Sequence, residues 1–347
     1  MLPDHLPEPE LYLPGAGEPS LRWGVVGPGW IAGEFANALR AHTGQRLVAV
    51  ASRSAERAAA FAAEHGIGLA FDSTEQLVNH PEVDAVYVAT PQSEHLAAGL
   101  AAIGAGKHVL IEKPIALNAA EAQTLADAGR AAGVLVMEAM WSRYLPQASV
   151  IRTLLADGVL GEVRSVLADH GQAIPAEPGH RLYRPELGGG ALLDLGIYPV
   201  QFASMVLGAP LDVVAVGGET ATGVDAYATL VLTHRGDAQS TLYTSLLERT
   251  PTTAAIAGTE GTISVDSAFY IPTSFTLASP RHDGPSLTWT DPTGLKLFDG
   301  LSWEATAFAR FVGEGRTESP VHTLDETVAI LAVIGRARAQ ITATPHS

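Results

Sequence analysis

The sequence predicts an α/β fold: a parallel sheet built from alternating strands and helices, then an α+β domain with a large, mostly antiparallel open sheet. Three observations carry this. Short apolar runs alternate with helical patterns over residues 21–141. A glycine-rich turn follows the first of those runs. From residue 211 onward β-type runs dominate, joined by turns such as Arg235-Gly236-Asp237 and Glu260-Gly261. At 347 residues and 47% hydrophobic content, the chain can build two cores.

Residues 1–20 hold Pro3, Pro7, Pro9, Pro14 and Pro19 among several acids, so an irregular arm is expected, disordered or laid along the surface. They lack the basic start and apolar core of a signal peptide. No cysteine is present, which removes disulfides, thiolate catalysis and Cys-based metal sites, and makes a cytoplasmic setting the default. The net charge of -16 argues against nucleic acid or an anionic membrane as partner. The twelve histidines show no tight metal spacing.

A strand is expected over residues 21–26, followed by Gly27-Pro28-Gly29-Trp30-Ile31-Ala32 and a helix through Arg40. Strand, glycine turn and helix together make the dinucleotide fingerprint G-x-G-x-x-G/A. Gly27 permits the turn, Gly29 lets the backbone approach a pyrophosphate, and Ala32 allows close packing. The second strand, residues 47–51, ends in Ser52-Arg53-Ser54 rather than in an acid. A guanidinium flanked by hydroxyls suits a ribose 2′-phosphate, so NADP is expected over NAD. Further strands are expected at 69–71, 85–89, 109–111 and 134–137, with helices between them. Six strands is the count of a dinucleotide-binding Rossmann domain, here residues 21–141.

Two features at strand ends are candidate cofactor sites. Thr90-Pro91 stops the fourth strand and leads to His95. The fifth ends in Glu112-Lys113-Pro114. Only Lys107, Lys113 and Lys296 exist in the chain, so a lysine just beyond a buried strand calls for explanation. The carboxyl edge of such a sheet is where ligands bind.

Residues 142–347 form the second domain. It opens after Trp141 with Arg143 and Tyr144, and a helix over residues 147–157. Gly188-Gly189-Gly190 then precedes an apolar helical pattern over residues 191–207 that holds Asp194 and Tyr198. Four residues apart on a helix, they share a face; Pro199 leaves the local helix geometry open. A buried aspartate is costly unless paired. Strands are expected from 211 to 277, loops at 173–185 and 279–291 to shape the pocket, and helices at 302–313 and 323–340. Trp141, Arg143 and Tyr183 are candidates to line the cleft, and Arg181 and Arg184 to bind a phosphorylated sugar.

These residues together resemble the glucose–fructose oxidoreductase and inositol dehydrogenase family. They are the fingerprint at 27–32, Thr90-Pro91 with His95, Ala105-Gly106-Lys107-His108-Val109 running into Glu112-Lys113-Pro114, and Gly188 to Tyr198. Met137 to Tyr144 and the Asp194–Tyr198 pairing look most like the branch of dihydrodiol dehydrogenases and NADP-dependent, xylose-type aldose dehydrogenases. Many members carry histidine where this chain has Tyr198, which weakens an inositol dehydrogenase reading.

The resemblance implies that Lys113 lies by the nicotinamide and the substrate hydroxyl, with a cis bond to Pro114. It implies NADP held by Gly27, Pro28, Gly29, Trp30, Ile31, Ser52, Arg53, Thr90, Pro91, His95, Glu112, Lys113, Trp141 and Arg143. Catalysis is assigned to Lys113, Tyr198 and Asp194. A tyrosine's ordinary pKa of about 10 is high for a base, and a neighbouring ammonium favours the phenolate. Tyr198 is then the proton-transfer group and Asp194 the orienter; the reverse, with Lys113 moving the proton, is the alternative. The expected reaction is hydride exchange with a hydroxyl-bearing carbon of an aldose or cyclic diol. The alternatives are a keto-sugar or anhydro-sugar reductase, and a non-catalytic NADP-binding sensor. Expected partners are a small polyol or sugar and a second copy of the chain, as homodimer or homotetramer through the second sheet.

Overall fold

The structure, a computed structural model, describes residues 2–177 and 179–342. The chain divides into two compact units. One comprises Leu11–Leu145 with Leu295–Val328; the other comprises Met1–Glu10, Pro146–Gly294 and Ala329–Ser347.

The first unit is built on six parallel strands: β1 (Arg22–Val26), β2 (Arg46–Ala51), β3 (Leu69–Phe71), β4 (Ala85–Val88), β5 (His108–Glu112) and β6 (Val136–Ala139). Their order is β3-β2-β1-β4-β5-β6, the Rossmann arrangement. All four residues of β4 and of β6 are buried, as strands covered on both faces should be. The connecting helices are α1 (Trp30–His42), α2 (Ala55–His65), α3 (Thr74–Val78), α4 (His95–Gly104) and α5 (Ala119–Ala132). Ser54, Ser73 and Asn118 cap α2, α3 and α5 with their side chains.

The boundary expected near residue 142 is incomplete, because Leu295–Val328 returns to this unit. The reason is apolar packing. Helix α8 (Leu301–Gly313) sets Phe308 against Trp23 of β1, with ring centroids 4.8 Å apart. Tyr12 of the arm also packs here, edge-on to Tyr144 and Phe311.

The second unit opens with α6 (Pro146–Ala156) and carries eight strands: β7 (Val163–Gly171), β8 (Asp212–Glu219), β9 (Asp225–Thr233), β10 (Gln239–Ser245), β11 (Ala254–Gly258), β12 (Thr262–Val265), β13 (Phe275–Ala278) and β14 (Ser286–Trp289). Their order is β14-β13-β12-β11-β7-β10-β9-β8, antiparallel except between β7 and β10. Helix α7 (Ile197–Leu207) packs on β7 and β10, and α9 (Leu324–Thr342) ends the described chain. Strand β14 corrects the expectation of a free loop over residues 279–291. Its four residues alternate outward and inward, and Trp289 stacks on Phe275 at 5.6 Å. The face of this sheet away from α7 exposes Leu167, Val214, Val216, Tyr227 and Val231.

Candidate active site

Four of the expected cofactor segments meet at the carboxyl edge of the parallel sheet: the fingerprint after β1, Ser52-Arg53 after β2, Thr90-Pro91 after β4 and Glu112-Lys113 ending β5. Gly27 has φ +93°, and a Cβ there would stand 2.8 Å from Ala89 O, so the fold itself demands glycine. Gly29 differs. The nearest protein atom to its absent Cβ is Ala89 O at 3.9 Å. Gly29 also heads α1 with no side-chain cap, leaving the helix N–H groups for an anion. A dinucleotide pyrophosphate fits this space and these donors. Ala32 is fully buried.

Arg53 is largely exposed, its side chain 83% accessible, and pairs with Glu94 at 2.9 Å. A second guanidinium, unforeseen from sequence, lies beside it: Arg57 donates to Pro28 O at 3.3 Å. Ser52 Oγ accepts from Ser54 N at 3.2 Å.

The Lys113 turn is held at three consecutive backbone groups. Glu112 accepts from Lys113 N at 3.1 Å and from the Tyr87 hydroxyl. His95 Nδ1 lies 2.8 Å from Pro114 O, and its Nε2 lies 3.0 Å from Thr90 O. Glu138 accepts from Ile115 N at 2.9 Å. The Lys113-Pro114 peptide is cis. His95 was expected to face the cofactor; it is buried, and both ring nitrogens face backbone carbonyls, so it ties the Thr90 and Lys113 turns together. Burial pushes its imidazole below the ordinary histidine range, against the pull of those carbonyls.

Glu138 is itself held. It accepts from His322 Nε2 and from Thr327 Oγ1, both at 2.9 Å. His322 Nδ1 reaches Glu326 at 3.2 Å, and Glu326 pairs with Arg143. Burial works to raise both carboxyls, but the charged partners prevail: Glu138 is held below the ordinary carboxylate range and Glu326 at about 2. Burial and Arg143 work to lower His322, and the two glutamates raise it above its ordinary value. Arg143 is thus buried in an ion pair. Trp141 is also buried, stacked on Phe298 at 5.7 Å, and the exposed Trp30 meets Phe298 edge-on at 4.8 Å.

The second unit holds the other candidates. Arg338 pairs with Asp225 at 2.8 Å and donates to Gly189 O at 2.6 Å, while Asp225 accepts from Leu192 N at 2.6 Å. The triple glycine is therefore packed against a half-buried ion pair whose aspartate caps the following helix. That helix begins as a π-turn, Leu192–Gly196, before α7. Such turns recur at functional sites, and this one carries Asp194 four residues before Tyr198.

Asp194 is 6% exposed, and Arg181 Nη2 lies 3.0 Å from its Oδ1. Tyr198, 5% exposed, stacks on Tyr270 at 4.3 Å and lies 5.6 Å from His170. His170 and Tyr270 were missed from sequence, since neither lies in a motif. Burial pushes the Tyr270 hydroxyl up; Gln172 opposes this by bonding it, and Asp194 adds to it. Tyr183 donates to Ile174 O at 2.8 Å and anchors its loop. Arg184 pairs with Glu186 at the surface.

Residues 21–140 match the profile of an oxidoreductase family with an NAD-binding Rossmann fold, and residues 149–264 match the GFO/IDH/MocA C-terminal domain. The chain is 36% identical over 326 residues to the trans-1,2-dihydrobenzene-1,2-diol dehydrogenase of Xenopus laevis, spanning 92% of this chain and 98% of that one. The Homo sapiens enzyme of that name is 33% identical over 329 residues, spanning 94% and 98%. Among solved structures, KijD10, a 3-ketoreductase from Actinomadura kijaniata in complex with NADP and TDP-benzene, aligns with a TM-score of 0.81 at 29% identity, over 93% of this chain and 98% of that one. By both of its domains and by similarity along nearly its whole length, this chain is a member of the GFO/IDH/MocA family of oxidoreductases.

Proposed function

We propose that the chain is an NADP(H)-dependent dehydrogenase of cyclic diols or aldoses. The observation that carries this reading is the turn that sets Asp194 and Tyr198 four residues apart, both nearly buried and backed by the Tyr270 and His170 rings. An acceptor, a phenol and a ring-lined wall suit a hydroxylated ring. A nicotinamide dinucleotide, when bound, supplies the hydride acceptor.

The chain's own residues handle the proton and the alignment. Asp194 accepts a hydrogen bond from a substrate hydroxyl. Tyr198 takes the proton of the hydroxyl being oxidised, and Lys113 contributes the cation that favours the phenolate. The turn carrying Lys113 is fixed by Glu112, His95 and Glu138, so it needs little rearrangement during reaction. Arg53, just after β2, and Arg57, in the first turn of α2, are offered to a 2′-phosphate.

The similarity to trans-1,2-dihydrobenzene-1,2-diol dehydrogenases supports a cyclic diol. The 3-ketoreductase neighbour supports a second reading, reduction of a keto-sugar at the same residues. NADP⁺ reduction measured against cyclic diols, aldoses and inositols, with NAD⁺ as control, tests the proposal. Turnover of a diol or aldose with NADP⁺ preferred is expected. A clear NAD⁺ preference overturns the role of Arg53, and tight NADPH binding without turnover in either direction makes the chain a sensor. The exposed Leu167, Val214, Val216, Tyr227 and Val231 support pairing of two copies through the second sheet. Light scattering is expected to give a dimer or tetramer that Val216→Lys dissociates; a monomeric wild type refutes this.

A further inference from the structure

Arg181 is a charged group placed on Asp194, and no motif accounts for it. The two differ sharply in exposure: the aspartate side chain is 9% accessible and that of the arginine 54%. A guanidinium carries five N–H donors in a fixed fork. Among the described residues Asp194 is the side-chain partner of Arg181, so most of the fork faces outward. Arg181 is also held in place. Its neighbours Leu182 and Tyr183 are buried, and Leu182 packs with Ala191, Leu195, Leu246 and Ile174. The Leu182 carbonyl accepts from Gly190 N at 2.9 Å, and that of Arg184 from Gly189 N at 3.0 Å. The loop is thus tied to the glycine run that leads into Asp194.

Resting on the diol reading above, we propose that Arg181 and Asp194 together recognise a vicinal pair of hydroxyls on an uncharged ring. Asp194 accepts from one hydroxyl, and Arg181 donates to the oxygen next to it. A carboxylate alone would accept from any hydroxyl and would attract cations. Its guanidinium partner adds a donor alongside and brings the pair to neutrality. Neighbouring oxygens of a vicinal diol present that complementary acceptor and donor on adjacent atoms. The ring wall of Tyr198, Tyr270 and His170 gives the carbon skeleton a flat surface. Arg184 lacks this arrangement, since its partner Glu186 is itself exposed.

The test compares kcat/KM for a cyclic vicinal diol and for its monodeoxy analogue, in the wild type, Arg181→Ala, Arg181→Lys and Arg184→Ala. The wild type is expected to prefer the diol by about 10–100-fold, the scale of a hydrogen bond to a charged group. Arg181→Ala is expected to turn over both compounds within about threefold of each other, on the same scale. Arg181→Lys keeps part of the preference, and Arg184→Ala keeps all of it. A purely structural Arg181 would slow both substrates equally and leave the ratio unchanged, which overturns the proposal, as does an Arg181→Ala variant that still discriminates like the wild type. Wild-type turnover only of substrates that lack a vicinal pair of hydroxyls also overturns it while leaving the oxidoreductase reading intact. No turnover at all overturns both.

Discussion

Three consecutive backbone groups at Lys113, Pro114 and Ile115 are each met by a buried side chain, whereas Asp194 meets a half-exposed guanidinium and Tyr198 a stack of rings. The first turn is locked from behind by charge. Glu138 passes its load to His322, Glu326 and Arg143, none of which faces solvent freely. The second is shaped by aromatic rings and a half-exposed arginine. A position locked by a buried network tolerates little change and sets whether chemistry happens. A position lined by rings and a solvent-facing arginine can vary, and sets what is accepted.

Breaking the lock should have the largest effect. Glu138→Ala takes the carboxylate away from His322 Nε2 and leaves Ile115 N without its acceptor, and removing one member of a buried charge pair costs about 3–5 kcal/mol. A large drop in midpoint in urea unfolding is expected; a change near zero would mean the network is ornamental.

The two fingerprint glycines separate fold from ligand. Gly27→Ala forces a positive φ on alanine and a clash with Ala89, so it should lower the melting temperature as well as cofactor affinity. Gly29→Ala, with 3.9 Å of room, should leave the melting temperature unchanged and weaken NADP⁺ binding in a fluorescence titration. Equal effects of the two on stability would contradict this division.

The network also has a pH signature. Glu326 is held at about 2, below its unfolded value of about 4.3, so its contribution is complete above that value and fades as pH falls towards 2. His322 is raised above its unfolded value of about 6.5, so its contribution is complete below that and is lost as pH rises through the folded value. The network therefore stabilises most between about pH 5 and 6. Melting temperatures across pH, in the wild type and in Glu326→Gln, check this: the variant should show a weaker acid limb, with the part due to Glu138 remaining.

The contrast also explains what was legible in the sequence. Strand–helix alternation, the 27–32 turn and the Glu112-Lys113-Pro114 end are local patterns, and local patterns survive in one dimension. Arg53 could be read because it stands at the end of a strand whose order was predictable. Glu138 could not, because its partner His322 comes 184 positions later. The return of Leu295–Val328 to the first unit rests on Phe308 meeting Trp23, again a distant contact. Asp194 and Tyr198 were visible through spacing, but Tyr270, His170 and Arg181 join them only through the fold of the second sheet and its loop.

The central proposal is that Lys113 and Tyr198 are each needed for turnover. Lys113→Ala and Tyr198→Phe, assayed for turnover and, separately, for NADPH affinity, test it directly. Each variant is expected to lose at least about 100-fold in kcat, the low end for acid–base catalysis, with NADPH affinity kept within a few-fold. Near-normal turnover by both variants on a true substrate would contradict the account.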